Sequence, residues 1–214
     1  MSDSLGKVAV MDQNPGGAVP SESPLAMSRP TVTTVAPAEA GVVISEQAFL
    51  GHLVLRGRVT DPAFVAGVEQ VLGVAPPSQP LQLASAGEGG VSIQWVSPDE
   101  WLIIVPGGQE YVTELKLREV LGGHFAVVNV SGGQTLLSLS GPRAREVLMK
   151  CTPYDVHPAH FPVGKAVGTV FAKTTVQLRR TAETRWELVL RRSFADYAYR
   201  WLLDAAEEYG VAVA

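Results

Sequence analysis

The stretches Leu53-Val54-Leu55-Arg56-Gly57 and Leu137-Ser138-Leu139-Ser140-Gly141 decide the fold, because the second repeats the pattern of the first. Each is a β-prone segment that stops at a glycine and precedes a helical pattern with an early proline. Trp101 and Trp186 lie in matched hairpin strands at almost the same distance from these segments. We predict an α+β fold of two β-α-β-β-α-β units. They should pack together, because a unit alone would expose a sheet edge or face.

Turn and cap residues place the elements within each unit. Asp61-Pro62 opens a helix that Gly73 ends, and Ser193 with Asp196 forms a predicted capping box for the last helix. Strands are predicted at 49–55, 91–96, 101–105, 124–130, 135–139, 167–172, 174–180 and 185–191. Helices are predicted at 62–72, 109–121, 142–150 and 194–209. The predicted domains are an arm at 1–40, a first repeat at 41–132 and a second repeat at 133–214.

The arm, residues 1–40, differs in composition from the rest of the chain. Its five prolines exclude a helix: Pro15, Pro20, Pro24, Pro30 and Pro37. A disordered tail and an extended segment that becomes ordered on a partner both fit this composition. We predict an extended arm that lies against another subunit, because an unattached arm could not bury Leu25, Val32 or Val35.

Composition and charge limit the classes of protein. The chain has 214 residues, of which 46% are hydrophobic and 18% charged, as in globular proteins. Its net charge is −4 and its lysines and arginines are scattered, so no nucleic-acid partner is expected. The first residues lack a signal-peptide pattern, and no apolar run reaches the length of a membrane span. We therefore expect a cytoplasmic protein with no membrane contact.

The sequence contains few candidate catalytic or binding motifs. The sequence has no G-x-G-x-x-G after a strand, no Walker A sequence and no G-x-S-x-G. Asp155, His157 and His160 are the best metal candidate, but prolines flank them and no further histidine or cysteine supports them. We therefore assign no catalytic, cofactor-binding or metal-binding residue to this chain. Three glycine pairs are assigned to turns with positive φ rather than to phosphate binding: Gly89-Gly90, Gly107-Gly108 and Gly132-Gly133.

Other notable side chains have structural interpretations. Cys151 lies at a helix C-terminus, where the helix dipole raises the pKa of a thiol, so a buried structural cysteine is expected. The pairs Arg179-Arg180 and Arg191-Arg192 are interpreted as solvated strand ends or interface contacts. The tryptophans are assigned to the core, with an interface role left open for some. The last helix is predicted to carry one apolar stripe: Phe194, Tyr197, Ala198, Trp201, Ala205 and Tyr209.

Several segments together resemble one family, the gamma subunit of heterotetrameric sarcosine oxidase. Their order and spacing carry the resemblance over nearly the whole chain after the arm. The segments are Ser23-Pro24-Leu25, Leu53-Val54-Leu55-Arg56-Gly57, Ser97-Pro98-Asp99-Glu100-Trp101-Leu102, Val128-Asn129-Val130-Ser131, Leu139-Ser140-Gly141-Pro142-Arg143-Ala144, Phe161-Pro162-Val163-Gly164 and Arg192-Ser193-Phe194-Ala195-Asp196-Tyr197.

The resemblance implies a fold related to the folate-binding domain of aminomethyltransferases. It also implies a bacterial complex of alpha, beta, gamma and delta subunits, which oxidises sarcosine to glycine with oxygen and passes the methyl carbon to tetrahydrofolate. FAD, FMN and NAD would belong to alpha and beta, folate to alpha and zinc to delta. No catalytic residue of the family maps onto this chain. We therefore expect a subunit of a flavin-dependent oxidoreductase that is inactive alone.

Two other functions stay open on the sequence. A stand-alone folate-binding aminomethyltransferase-like protein would need a carboxylate in a central pocket to hold the pterin. It would often carry a cysteine-centred signature, which Lys150-Cys151-Thr152-Pro153 does not provide. A structural adaptor in another complex is the third possibility. Neighbouring genes for alpha, beta and delta subunits would separate the three.

Overall fold

A computed structural model describes residues 21–87 and 90–214 of the chain. The helices are α1 Pro62–Leu72, α2 Glu110–Val120, α3 Ala144–Cys151 and α4 Ala195–Ala206. The strands are β1 Val42–Gln47, β2 Gly51–Arg56, β3 Leu83–Ser85, β4 Ser92–Ser97, β5 Glu100–Val105, β6 Ala126–Asn129, β7 Gln134–Ser140, β8 Ala166–Phe171, β9 Thr174–Ala182, β10 Arg185–Arg191 and β11 Val211–Val213. Short 3-10 turns lie at Ser131–Gly133, Arg192–Phe194 and Glu207–Tyr209.

Two sheets form the inner layers of the molecule. The five-stranded sheet has the order β3-β4-β5-β2-β6, and the six-stranded sheet has the order β11-β1-β7-β10-β9-β8. Helices α1 and α2 share a core with the first sheet, and α3 and α4 share a core with the second. The other two faces meet at a small apolar cluster of Leu102, Ile104, Leu136 and Val189. The predicted α+β class with two packed units is confirmed.

Trp101 and Trp186 occupy equivalent strand positions in the two sheets. In the first sheet Trp101 of β5 pairs with Leu55 of β2. In the second sheet Trp186 of β10 pairs with Leu139 of β7. Leu55 and Leu139 are the matched leucines of the sequence repeat, and both tryptophans are fully buried. The core assignment of these tryptophans is confirmed, while an approximate twofold axis between the units stays a prediction.

The cap residues of α1 work as the sequence predicts. The Asp61 side chain accepts a hydrogen bond of 2.9 Å from the Ala63 amide, which satisfies one free donor of the first turn. At the other end Gly73 takes a left-handed conformation with φ of 71°, and its amide donates to the carbonyl of Glu69. A side chain at Gly73 would strain this conformation, so the glycine ends the helix there.

The capping box predicted at the start of α4 is wrong. Phe194 is the N-cap residue, and no side chain caps the helix. The Asp196 carboxylate instead accepts hydrogen bonds from Arg200 Nε at 2.8 Å and from the Ser28 hydroxyl at 2.7 Å. A 3-10 turn precedes the helix and shifts its start, so Ser193 does not reach the N-cap position.

Strand β1 is the main departure from the predicted organisation. It pairs antiparallel with β7 and parallel with β11, so it belongs to the six-stranded sheet. Strand β1 falls within the predicted first repeat, 41–132, although the sheet that it joins contains the strands of the second repeat. Val42 and Ile44 are fully buried in the core formed by α3 and α4, which gives the physical reason for this placement. Strand β1 takes the place beside β7 where a simple unit would put its own last strand.

The described part of the arm, residues 21–40, contacts the second unit of the same chain. The Val35 amide donates a hydrogen bond of 2.8 Å to the carbonyl of Val211, and Leu25 and Val32 pack against the second core. No helix forms between residues 21 and 40, as predicted. The expectation that only another subunit would bury Leu25 and Val32 is wrong, because their own chain already buries both in part. Residues 1–20 lie outside the described residues, and contact of the arm with a partner stays a prediction.

Candidate functional site

A cavity of about 610 Å³ lies between the two sheets; we call it the inter-sheet cavity. Its apolar lining residues are Leu50, Ile104, Val105 and Leu136, and its polar lining includes Ser92, Arg179, Thr181, Arg185 and Glu187. Both sheets contribute to both kinds of lining, because Ser92 pairs with Ile104 in the five-stranded sheet, whereas Leu136 and Arg179 lie in the six-stranded sheet. Side chains alternate across a strand, so the residues of β9 and β10 that face away from the helix core line this space. The cavity is therefore built jointly by the two units.

Arg179 is the most buried charged group at the cavity, with 4% of its surface exposed. Its Nη2 atom lies 2.7 Å from Glu187 Oε2 and donates a hydrogen bond of 3.1 Å to Ser92 Oγ. Its Nε and Nη1 atoms have no hydrogen-bond partner among the described residues. Burial lowers the pKa of Arg179, and the Glu187 carboxylate opposes that shift. Of the three guanidinium nitrogens, only Nη2 contacts polar groups among the described residues.

Arg180 lies on the opposite face of β9, inside the second core. Its Nη1 atom donates to the carbonyl of Phe161 at 2.8 Å, and its Nη2 atom donates to the carbonyl of Glu183 at 2.8 Å. The guanidinium lies 5.3 Å from the ring centroid of Trp186. Of the two interpretations of Arg179 and Arg180, solvated strand ends or interface contacts, the first is therefore wrong. Strand β9 lies between β8 and β10 with both faces covered, so both side chains are buried.

The second pair, Arg191 and Arg192, behaves as predicted. Both residues are exposed at the end of β10, where the chain leaves the sheet and enters a 3-10 turn. Arg192 also lines a second pocket, of about 540 Å³, that the arm helps to form. We call this space the arm pocket. Its walls include Ser23, Gln47, Leu50, His52, Ser131 and Thr135.

His52 is the unusual residue of the arm pocket, because it is an ionisable group with only 1% of its surface exposed. Its Nδ1 atom lies 3.1 Å from the carbonyl of Leu50, which can only accept, so Nδ1 carries the proton. Its Nε2 atom has no partner among the described residues. Burial lowers the pKa of His52 to about 4, and the Arg179 charge adds to this effect. His52 is therefore neutral at pH 7.

Asp155, His157 and His160 form a local turn. The Asp155 carboxylate accepts from the His157 amide at 2.9 Å and contacts His160 Nδ1, while His157 Nδ1 accepts from the Ala159 amide at 3.2 Å. Asp155 and His160 are largely exposed. Across residues 21–87 and 90–214, no three acidic, histidine or cysteine side chains converge as metal ligands would. These side chains stabilise the conformation of the proline-flanked loop through hydrogen bonds within it.

Cys151 is buried at the last position of α3, with 3% of its surface exposed. Burial raises the pKa of its thiol to about 12, and the nearby Lys150 charge only partly offsets this. A nucleophilic cysteine needs a lowered pKa and access to solvent, and Cys151 has neither. The structural interpretation of this cysteine is confirmed.

The sequence did not mark His52, Arg179 or Glu187 as candidate site residues. His52 and Glu187 alternate with apolar neighbours in their strands, as exposed polar residues do. The burial of Arg179 could have been inferred from the sequence, because the residue lies within a predicted strand that has another predicted strand before it and one after it. Glu187 supplies a carboxylate at the central cavity, which a stand-alone folate-binding protein would need, but Arg179 neutralises it.

Two inner sheets, two outer helix pairs and a cavity between duplicated units define a class of protein. It is the class with the fold of the aminomethyltransferase folate-binding domain. Aminomethyltransferase T from Bartonella henselae matches this chain with a TM-score of 0.62 and 16% sequence identity, over 82% of this chain and 48% of that one. This similarity shows the fold.

Within that class, the chain belongs to the sarcosine oxidase gamma subunit family, which matches residues 56–208. Sarcosine oxidase subunit gamma from Arthrobacter sp is 37% identical over 169 residues, which are 78% of this chain and 81% of that protein. A chain of heterotetrameric sarcosine oxidase from Corynebacterium sp. U-96, in complex with pyrrole 2-carboxylate, matches with a TM-score of 0.79 and 30% identity. The match covers 90% of this chain and 97% of that one. No helix in the described residues is long and apolar enough to cross a membrane.

Proposed function

We propose that this chain is a non-catalytic structural subunit of a heterotetrameric sarcosine oxidase. The complex would oxidatively demethylate sarcosine to glycine and transfer the methyl carbon to tetrahydrofolate. The observation that carries the proposal is the match to one chain of such an enzyme, which covers 90% of this chain. The arrangement of reactive groups supports it. Cys151 is buried, His52 has its basicity lowered by burial, and Arg179 is ion-paired with Glu187.

The exposed apolar side chains of two outer helices support a role in assembly. Val112 and Leu115 lie three residues apart on the outer side of α2, and they are 50% and 48% exposed. On α4, Trp201 is 39% exposed and its ring lies 5.9 Å from that of Tyr197. Large apolar and aromatic side chains of this kind are frequent anchors at protein interfaces. We propose that partner subunits cover these two surfaces.

The partners would be the alpha, beta and delta subunits. In this proposal FAD, FMN, NAD, tetrahydrofolate and zinc are bound by those subunits, and this chain binds no cofactor itself. Its location in the cytoplasm, the domain division at residues 132 and 133, and the absence of catalytic residues stay predictions of the same proposal.

Co-expression of this chain with its alpha, beta and delta subunits tests the proposal. Alone, the chain should show no flavin absorbance and no sarcosine oxidation. Omission of the chain should reduce the yield or thermal stability of the complex. The double variant Val112→Asn/Leu115→Gln should weaken assembly, because it makes a partner-facing apolar surface polar. The matched control Lys116→Gln/Glu119→Gln changes exposed residues of the same helix and should assemble normally.

A triple variant tests whether side chains of this chain take part in the reaction of the complex. Asp155→Ala/His157→Ala/His160→Ala removes the exposed cluster of ionisable groups, and we expect normal assembly with unchanged turnover per complex. A complex that assembles normally but loses turnover would contradict the assignment of this chain as non-catalytic. Size-exclusion chromatography and oxygen consumption, measured on the same preparation, separate the two effects.

A further inference from the structure

The inter-sheet cavity contains an arginine whose donors are not all used. Arg179 is 4% exposed, and its contacts with Glu187 and Ser92 both involve Nη2. The Nε and Nη1 atoms have no partner among the described residues, although the side chain lines the cavity. A buried donor without a partner is costly, and buried polar groups are nearly always satisfied by protein, water or ligand.

Two further polar groups that line the same cavity are also unpartnered. Arg185 Nε and Thr181 Oγ1 form no hydrogen bond with the described residues, and both side chains line the cavity. Both residues are half-buried, so they mark the side from which a ligand could enter. The charged side chains that line the cavity are two arginines and one glutamate, which leaves one positive charge. An acceptor with one negative charge would match this lining.

The apolar lining of the cavity determines the body of the ligand. Leu50, Ile104, Val105 and Leu136 present apolar surface to the same cavity as Arg179. Ligand sites commonly combine an apolar lining with a few fixed polar groups. Arginine is well suited to a carboxylate, because a charge-assisted hydrogen bond is stronger than a neutral one. The cavity volume of about 610 Å³ accommodates a small molecule with an aromatic ring.

We propose that the inter-sheet cavity binds a small monocarboxylate, whose carboxylate contacts Arg179 and Arg185 and whose apolar body lies against Leu50 and Leu136. The site lies within this one chain and goes beyond the structural role proposed above. The chain can bind a monocarboxylate without being a structural subunit, and it can be a structural subunit without binding a monocarboxylate. The Glu187 carboxylate holds one side of the Arg179 guanidinium and leaves its remaining donors for the ligand.

Calorimetric titration of the full chain with benzoate tests the proposal, with benzamide as the neutral analogue of the same shape. We expect saturable binding of benzoate and none of benzamide. The variant Arg179→Gln/Glu187→Gln removes both charges of the buried pair and should weaken benzoate binding about ten- to hundredfold, the worth of a charge-assisted hydrogen bond. The matched control Arg200→Gln/Asp196→Asn removes an exposed pair on α4 and should bind benzoate as the wild type does.

The single variant Arg185→Gln provides a second test of the site, which is needed if Arg179→Gln/Glu187→Gln does not fold. Arg185 is half-buried, so its replacement should leave the melting temperature nearly unchanged while benzoate binding weakens. Absence of benzoate binding to the wild type would overturn the proposal and leave a cavity filled by water. Equal binding of benzoate and benzamide, or benzoate binding unaffected by Arg185→Gln, would overturn it as well.

Discussion

Gln94 of β4 donates a hydrogen bond of 3.1 Å to Gln177 of β9 and so joins the two sheets by a side-chain contact. Gln94 is fully buried, and its own Oε1 atom has no partner among the described residues. Gln94 and Gln177 lie two residues from Ser92 and Arg179 on the same strands. The Arg179 side chain also reaches Ser92 across the interface. The two units are therefore joined by specific polar contacts as well as by the apolar cluster around Leu102.

The Gln94–Gln177 contact should be visible when a variant that removes one partner is compared with a variant that removes both. Gln177→Ala leaves the Gln94 amide buried without an acceptor, and we expect a loss of about 1–3 kcal/mol in the free energy of unfolding. Gln94→Leu/Gln177→Leu removes both partners and should cost less than the single change. Urea denaturation of the full chain measures both values. A double variant that is less stable than the single one would contradict a polar contact at this interface.

The buried ion pair should be sensitive to removal of one partner. Glu187→Ala leaves the Arg179 charge buried and uncompensated, so unfolding should become easier by about 3–5 kcal/mol. Arg179→Met/Glu187→Leu replaces both charges by apolar groups and should recover most of this stability. The exposed Arg200–Asp196 pair provides the control, since Asp196→Ala should cost only about 0–1 kcal/mol. Equal effects at the two pairs would mean that the cavity wall is hydrated like the surface.

The free energy of unfolding should decrease as the pH is lowered, because His52 is buried in its neutral form. Its pKa is lowered from the ordinary value of 6.5 to about 4, so the unfolded chain binds more protons between these two values. The stabilisation is complete above pH 6.5 and is lost as the pH falls toward 4. The loss should reach about 3 kcal/mol, because each unit of pKa is worth about 1.4 kcal/mol.

The His52→Gln variant isolates this contribution. Glutamine cannot titrate in this range, so the variant should show a smaller decrease in the free energy of unfolding between pH 6.5 and 4. The difference between wild type and variant, measured by urea denaturation at several pH values, gives the contribution of His52. A difference that does not change with pH would mean that the imidazole is solvated in the folded chain.

Cys151 should be inert in the folded protein. Burial raises the pKa of its thiol from the ordinary value of 9.0 to about 12, so the thiolate population at pH 8 falls on the order of a thousandfold. A chromogenic disulfide reagent should therefore react very slowly with the native chain. In urea the same reagent should modify one thiol per chain within the mixing time, because the sequence contains one cysteine. Rapid modification of the native chain would show that α3 opens readily at its C-terminus.

Local sequence patterns predict most of the helices and strands. The Asp61 cap and Gly73 end of α1, the hairpin of β4 and β5, and the strands β8, β9 and β10 all follow from turn residues and apolar alternation. The short strands β3 and β11 were not predicted, because three residues carry too little pattern. The apolar stripe assigned to α4 was only partly right. Ala198 and Ala205 are buried, whereas Phe194 and Trp201 are partly exposed. The buried face of the helix is instead built on Ala195, Ala198, Tyr199, Leu202 and Ala206.

The candidate site could be predicted far less well than the fold. Arg179 and Arg180 are adjacent in sequence, and a pair of arginines near the end of a strand usually meets solvent. Their burial depends on β8 and β10, which flank the strand at both edges, and on the five-stranded sheet, which covers the face with Arg179. His52 likewise lies in an ordinary alternating strand, and only the packing of the two sheets removes it from water.

The sequence by itself determined the duplication, the element types and the family resemblance, because each rests on local patterns that recur along one chain. Matched leucines and tryptophans, cap residues and turn residues carry that information without any knowledge of contacts. The tertiary structure alone decided that β1 completes the second sheet and that Arg179 faces a cavity. Both outcomes depend on which strands become neighbours, here β1 with β7 and β9 with β10. The local sequence pattern of a strand does not specify its partner strand.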